Sequence, residues 1–221
     1  MNTASNARVK TSNTKVNLLS ARGITTISLL SAISVVLMLF DIPLWFAPGF
    51  YQIDFSELPV LVGAFALGPV AGVVIELLKI LLNLLLDGSD TALVGETANF
   101  ILGCSLIVPS AIIYHRRRTK KAAILGMVVG TISFIVVGCL LNAYLLLPTY
   151  AKIYGMPLDS LIGMGTAVNP NINSMATFIL LAVAPFNLIK GTAVSLITIF
   201  IYKGVSHVIK EFHVTKRQLQ K

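Results

Sequence analysis

The sequence predicts an all-α membrane protein of six transmembrane helices, with both termini cytoplasmic and a ligand pocket facing outward. Three observations carry this expectation. Of the 221 residues, 56% are hydrophobic and 12% charged, where a soluble domain carries about a quarter charged. The apolar residues fall in long blocks, and a helix crossing a bilayer needs about 20 of them. The charges are also sorted by side. Of the 17 lysines and arginines, all but Lys79, Lys152 and Lys190 lie in three segments, residues 1–22, 115–121 and 203–221. Basic residues in short loops stay cytoplasmic. A formal charge of +8 suggests nucleic acid in a soluble protein; this distribution makes the lipid bilayer the partner instead, and no nucleic acid is expected.

The elements follow in order. Residues 1–22 hold Arg8, Lys10, Lys15 and Arg22 and no acid, which reads as a cytoplasmic basic tail. A cleaved signal would have a shorter apolar stretch ending at a small-residue site; residues 24–40 are long enough to span. Residues 41–57 form a loop, broken by Pro43, Pro48 and Gly49 and crowded with Trp45, Phe46, Phe50 and Tyr51. Such aromatics can simply anchor a chain at the bilayer interface, or they can cover a pocket.

Residues 58–86 could be one long helix or two short spans. Pro69 breaks or kinks a helix interior, and charge decides the number. A single span would put His115-Arg116-Arg117-Arg118-Thr119-Lys120-Lys121 on the same side as the acidic 41–57 loop. Two spans return that run to the side of the basic N-terminus. Two spans are therefore expected, followed by a fourth over about 94–114 and a fifth over 122–147. Residues 148–170 read as an outer loop and 171–184 as an ambiguous apolar piece. The sixth span starts near residue 183 and ends near Tyr202. A seventh span over 171–184 would put the basic C-terminus outside and is rejected. Residues 23–203 thus form a single membrane domain. Residues 204–221 place Val205, Val208, Ile209 and Phe212 at helical spacing among Lys203, His207, Lys210 and His213, a cytoplasmic amphipathic tail for the inner leaflet.

Polar residues then gather at one depth. Counting about 20 residues per span puts Asn187 and Lys190 in the first two turns of the sixth helix, with Pro185 at its start. The same count puts Asn142 and Tyr144 at the outer end of the fifth, Glu96 and Asn99 at that of the fourth, and Asn83 near that of the third. Glu57 opens the second. Interhelical hydrogen bonding explains any one of these amides, at about 0.6 kcal/mol each. An ionisable lysine among several amides at one level marks a substrate path. Glu76 and Lys79, deeper and of opposite charge at i,i+3, are expected to neutralise each other.

The absences narrow the function. The sequence has no phosphate-binding Gly-x-x-x-x-Gly-Lys-[Ser/Thr] loop and no Gly-x-Ser-x-Gly elbow. His115, His207 and His213 lie away from the pocket, so neither a Ser–His protease nor a zinc enzyme is expected. Cys104 and Cys139 sit singly in apolar segments and read as small buried hydrophobes, not as a disulfide or a metal site. The reading is of a non-enzyme without cofactor or metal.

Five stretches resemble one family. They are Leu30-Ser31-Ala32-Ile33-Ser34-Val35-Val36-Leu37-Met38, Ile53-Asp54-Phe55-Ser56-Glu57-Leu58-Pro59, Phe65-Ala66-Leu67-Gly68-Pro69-Val70-Ala71-Gly72, Val94-Gly95-Glu96-Thr97-Ala98-Asn99-Phe100 and Pro185-Phe186-Asn187-Leu188-Ile189-Lys190-Gly191. In this order they resemble the riboflavin-binding S component, the substrate-specific membrane subunit, of bacterial energy-coupling-factor (ECF) vitamin transporters. The resemblance implies six helices in the bacterial cell membrane and a vitamin pocket near the outer face, lidded by the loop between the first two. It implies isoalloxazine binding by Asn142, Asn187 and Lys190, and closure over the ligand by Gln52, Ile53 and Asp54. Asn99 joins this substrate-binding set from its depth. A flavin's pyrimidine edge offers carbonyl acceptors and an N–H that amides and an ammonium can satisfy.

The resemblance also implies partners, a transmembrane coupling subunit and two cytoplasmic ATPases that use the ATP. The docking surface falls on Ser28 and Ala32, a small-xxx-small pair that permits close helix approach. The family more often has alanine at both positions. The alternatives are an S component for another vitamin, with Lys190 meeting a carboxylate, and a stand-alone membrane facilitator.

Overall fold

Helix α1 (Ala21–Met38) begins where the Ser20 hydroxyl accepts the Gly23 N–H at 3.2 Å, a serine N-cap on an apolar run. The computed structural model describes residues 18–218, with side chains to residue 201. The basic tail expected at 1–22 therefore lies mostly outside the described residues. So do the side chains of the tail expected at 204–221.

The loop after α1 is more ordered than its prolines suggest. Strand β1 (Ile42–Pro43) pairs antiparallel with β2 (Gln52–Ile53), Ile42 opposite Ile53 and Pro43 opposite Gln52. The all-α expectation thus gains a two-residue hairpin, closed through Pro48-Gly49, where the Tyr51 N–H donates to the Pro48 carbonyl.

Residues 58–86 do divide in two. Helix α2 (Glu57–Leu67) ends at Gly68, whose φ of 115° is open to glycine and strained for other residues. Pro69 then opens α3 (Pro69–Asp87) from its first turn, where no N–H is missed. At 11 residues α2 is about 17 Å long, roughly half of a bilayer's apolar core of about 30 Å. Its Val60, Leu61, Ala64 and Phe65 are all buried, so it is a core helix wrapped by the others. Among the described residues, five helical runs are long and apolar enough to cross a membrane.

The second half differs from expectation at both outer ends. Helix α4 (Val94–Arg117) matches the fourth span, and α5 (Lys120–Leu141) starts on a Thr119 cap. The chain then stays helical past residue 147, through a π turn (Asn142–Leu146) into α6 (Leu147–Ile153). The proline at 148 reads as a helix end, but the widened turn just before it relieves the clash with the preceding carbonyls. Part of the expected outer loop is also a helix, α7 (Leu158–Val168).

The ambiguous 171–184 piece is the start of the last helix. A Ser174–Thr177 capping box opens α8 (Met175–Phe178), a π turn follows (Ile179–Val183), and α9 (Ala184–Gln218) continues from it. Pro185 is therefore inside a continuous helical run, not at its start. Lys190 lies 15 residues beyond Met175, about 22 Å along the axis, instead of in the first two turns.

Two apolar cores result. One joins α1 to α5 and α9 through Ile27, Leu61, Phe65, Ile75, Leu106, Met127 and Val194. The other joins the hairpin loop to α6, α7, α8 and α9 through Ala47, Tyr51, Ile53, Leu161, Phe178 and Phe186. Phe134 of the first core and Tyr51 and Phe186 of the second line one cavity.

Candidate functional site

Each wall of the cavity comes from a separate stretch of chain. The loop supplies Phe50, Tyr51, Gln52 and Asp54, and α2 supplies Glu57; α4 gives Gly95, Ala98, Asn99 and Leu102. Phe134 comes from α5, Asn142 and Leu146 from the π turn, Tyr150 from α6, and Phe186, Asn187 and Lys190 from α9. The cavity measures about 170 Å3, below the usual range of small-molecule sites, about 300–1,000 Å3.

Six of the seven substrate-binding candidates line it: Gln52, Asp54, Asn99, Asn142, Asn187 and Lys190. Ile53 does not. The alternation of β2 turns it away into the second core, where it is buried. Among the other polar residues expected at this depth, Glu57 lines the cavity, and Glu96, Asn83 and Tyr144 do not. Glu96 accepts the Thr91 hydroxyl at 3.1 Å, Asn83 is buried elsewhere on α3, and Tyr144 is 80% exposed. The aromatic lining gives little signal in the sequence, because Phe134 and Phe186 sit in apolar runs and Tyr150 falls in the expected outer loop.

Lys190 is not alone. Its Nζ donates to Asp54 Oδ2 at 2.8 Å and lies 3.3 Å from Glu57 Oε1. The same Glu57 oxygen is 3.6 Å from Lys79 Nζ, which donates to the Ser56 hydroxyl at 3.2 Å and lies 2.8 Å from Glu76 Oε1. The expected Glu76–Lys79 pair is thus one end of a five-membered chain reaching the cavity. The Ser56 N–H donates to Asp54 Oδ1 at 2.8 Å and fixes the loop to the head of α2. Burial pushes the Asp54 carboxyl up, but Lys190, Lys79 and the hydrogen bonds to Lys190 and Ser56 outweigh it and hold it at about 2.

The amides are set by backbone contacts. Asn142 Nδ2 donates to the Gly138 carbonyl at 2.8 Å, and its Oδ1 accepts the Tyr51 hydroxyl. That bond ties the loop to the π turn, and burial raises the Tyr51 hydroxyl's pKa well above the usual range. Tyr51 also packs on Phe186, ring centres 5.2 Å apart. Gly138 leaves room for the Asn187 amide, which any Cβ there would overlap. On the outside of α1, Ser28 and Ala32 are both exposed, away from its buried face of Ile27, Ser31, Ser34 and Val35.

Fold and site define a class, a multi-pass helical membrane protein built around a cavity with an aromatic and amide lining. Within that class the chain belongs to the substrate-specific components of ECF transporters, whose family model matches residues 22–202. It is 34% identical over 196 residues to the riboflavin transporter RibU of Staphylococcus aureus, covering 89% of this chain and 96% of the relative. It is 30% identical over 185 residues to the riboflavin transporter FmnP of Bacillus subtilis, covering 83% and 92%. A solved structure of the S component of a bacterial ECF transporter superposes with a TM-score of 0.66 at 34% identity, covering 85% of this chain and 96% of that one.

Proposed function

We propose that this chain captures riboflavin at the outer face of the bacterial cell membrane and delivers it through a complex with a transmembrane coupling subunit and two ATPases. The cavity faces outward, both termini are cytoplasmic, and the five long helices with α2 make the six-helix domain. Asn142, Asn187, Asn99 and Lys190 meet the polar edge of the flavin ring, and Phe134, Phe186 and Tyr51 its faces. Gln52 and Asp54 belong to the loop that covers it.

One observation carries the choice of ligand. Lys190 already lies against Asp54 and Glu57. A vitamin carboxylate would add a negative charge beside two others, and like charges in a low-dielectric site repel. A neutral ring with carbonyl acceptors takes the remaining donor capacity of Lys190 without that cost. The geometry therefore favours a flavin over an anionic vitamin, and the names of the relatives point the same way.

Purified protein should quench flavin fluorescence stoichiometrically, and an excess of pantothenate should not compete. Displacement by pantothenate, or failure to bind riboflavin, would overturn the assignment. Docking of the coupling subunit on Ser28 and Ala32 predicts that Ser28→Trp stops ATP-driven uptake in vesicles and leaves flavin binding intact. Uptake by the chain alone in ATP-depleted vesicles would instead identify a facilitator.

A further inference from the structure

The buried charges do not balance. Among the described residues Asp54, Glu57 and Glu76 face only Lys79 and Lys190, which leaves one formal negative charge in a cluster whose five members are all buried. An uncompensated charge held away from water is strongly disfavoured, and such a group neutralises itself where a proton is available. The acids are not equally served. Asp54 accepts from Lys190 and from the Ser56 N–H; Glu57 lies by both lysines and accepts the Ser56 hydroxyl at 3.4 Å. Among the described residues Glu76 meets Lys79 alone, Nζ 2.8 Å from Oε1, and its Oε2 has no donor.

Around Glu76 the described residues offer no second cation in contact. Lys79 faces it from α3 itself, Glu57 from α2, Cys104 from α4 and, at longer range, Lys190 from α9. On α1 the Ser31 hydroxyl is turned to the Ile27 and Ile75 carbonyls. A Cβ at Gly103 would overlap the Glu76 carboxylate, so α4 closes directly over it.

We propose that Glu76 holds a proton in the ligand-free protein, and that this site is linked to the cavity through Lys79, Glu57 and Lys190. Lys79 stands 2.8 Å from Glu76 and 3.6 Å from Glu57; with Glu76 neutral it is free to close on Glu57, which leaves Lys190 donor capacity for a ligand. Loss of the proton keeps Lys79 on Glu76. Glu57 then leans harder on Lys190, and the ligand loses its donor. Protonation and ligand binding therefore favour each other, and the coupling is reciprocal.

Infrared spectroscopy of the ligand-free protein tests the first part without reference to any vitamin. A carboxylic-acid carbonyl band should be present at neutral pH and missing from Glu76→Gln. Absence of the band, or its survival in the variant, overturns the proton site. Should the variant not fold, isotope-labelled glutamate in the wild type must shift the band, and an unshifted band is the same refutation. The linkage rests on the riboflavin reading. Affinity should fall about fivefold, the low end of couplings between sites, as pH rises through the titration of the band, and should be flat in Glu76→Gln. Equal pH dependence in both proteins overturns the linkage. If riboflavin does not bind at all, the functional reading fails, while the infrared band still decides the proton site.

Discussion

The two ends of the buried charge chain hold the same residue type in unlike settings. Lys79 is fully enclosed, and its Glu76 partner stands one turn away on the same helix. Lys190 is also buried, but it borders the cavity, and its Asp54 partner comes from a loop 136 positions away in sequence. Glu57 touches both. The difference teaches that burial and charge do not by themselves identify a ligand-binding lysine. What separates the two is whether the ammonium opens onto the cavity and whether its partner comes from a distant loop or from its own helix.

The largest test is to remove each lysine in turn. Lys79→Met leaves Glu76 and Glu57 short of a cation in the interior and should cost about 3–5 kcal/mol, read as a large drop in thermal stability or loss of folded protein. Lys190→Met should cost about 1–2 kcal/mol, because solvent in the cavity reaches the carboxylates it leaves. It should also weaken flavin binding about tenfold to a hundredfold, the worth of one charged hydrogen bond. Equal stability losses with unchanged binding would erase the distinction.

A smaller effect sharpens the cavity side. Gly138→Ala pushes a methyl into the Asn187 amide, and crowding of this kind costs about 1–3 kcal/mol. Isothermal titration should show affinity falling about tenfold or more; unchanged affinity would remove Asn187 from the ligand site. A further test concerns Asp54. A carboxyl held at about 2 instead of 3.8 contributes stability that is fully present above about pH 4 and drains away as pH falls toward 2, roughly 2 kcal/mol in all. Acid denaturation in detergent should show that slope, and Asp54→Asn should flatten it.

Much of this was legible in the chain. Sorted basic residues and apolar blocks suffice for a helical membrane protein, and Gly68-Pro69 suffices for the joint between α2 and α3. The amides and Lys190 stand out because polar groups are costly in lipid. The rest was hidden for definite reasons. Pro148 and Pro185 read as helix ends, because nothing in composition marks a π turn that carries a helix past a proline. Counting about 20 residues from the inner boundary therefore placed Lys190 too near its helix end. Phe134 and Phe186 look like any core residue in an apolar run. The partners of Lys190 are a matter of tertiary approach, which no spacing rule within one helix contains.

The π turn at Asn142–Leu146 has a consequence for how this chain tolerates change in length. Each residue of an α-helix turns the chain through about 100°, and a π turn amounts to one residue more than the regular helix requires. Removing a single residue between 142 and 146 would leave the hydropathy profile almost untouched. Because that turn holds the one residue in excess, the loss restores a regular α turn and leaves Leu147–Ile153, with Tyr150, on the same side. A one-residue gap here is therefore milder than the same gap in the regular stretch of α5, where each residue turns the chain through about 100°.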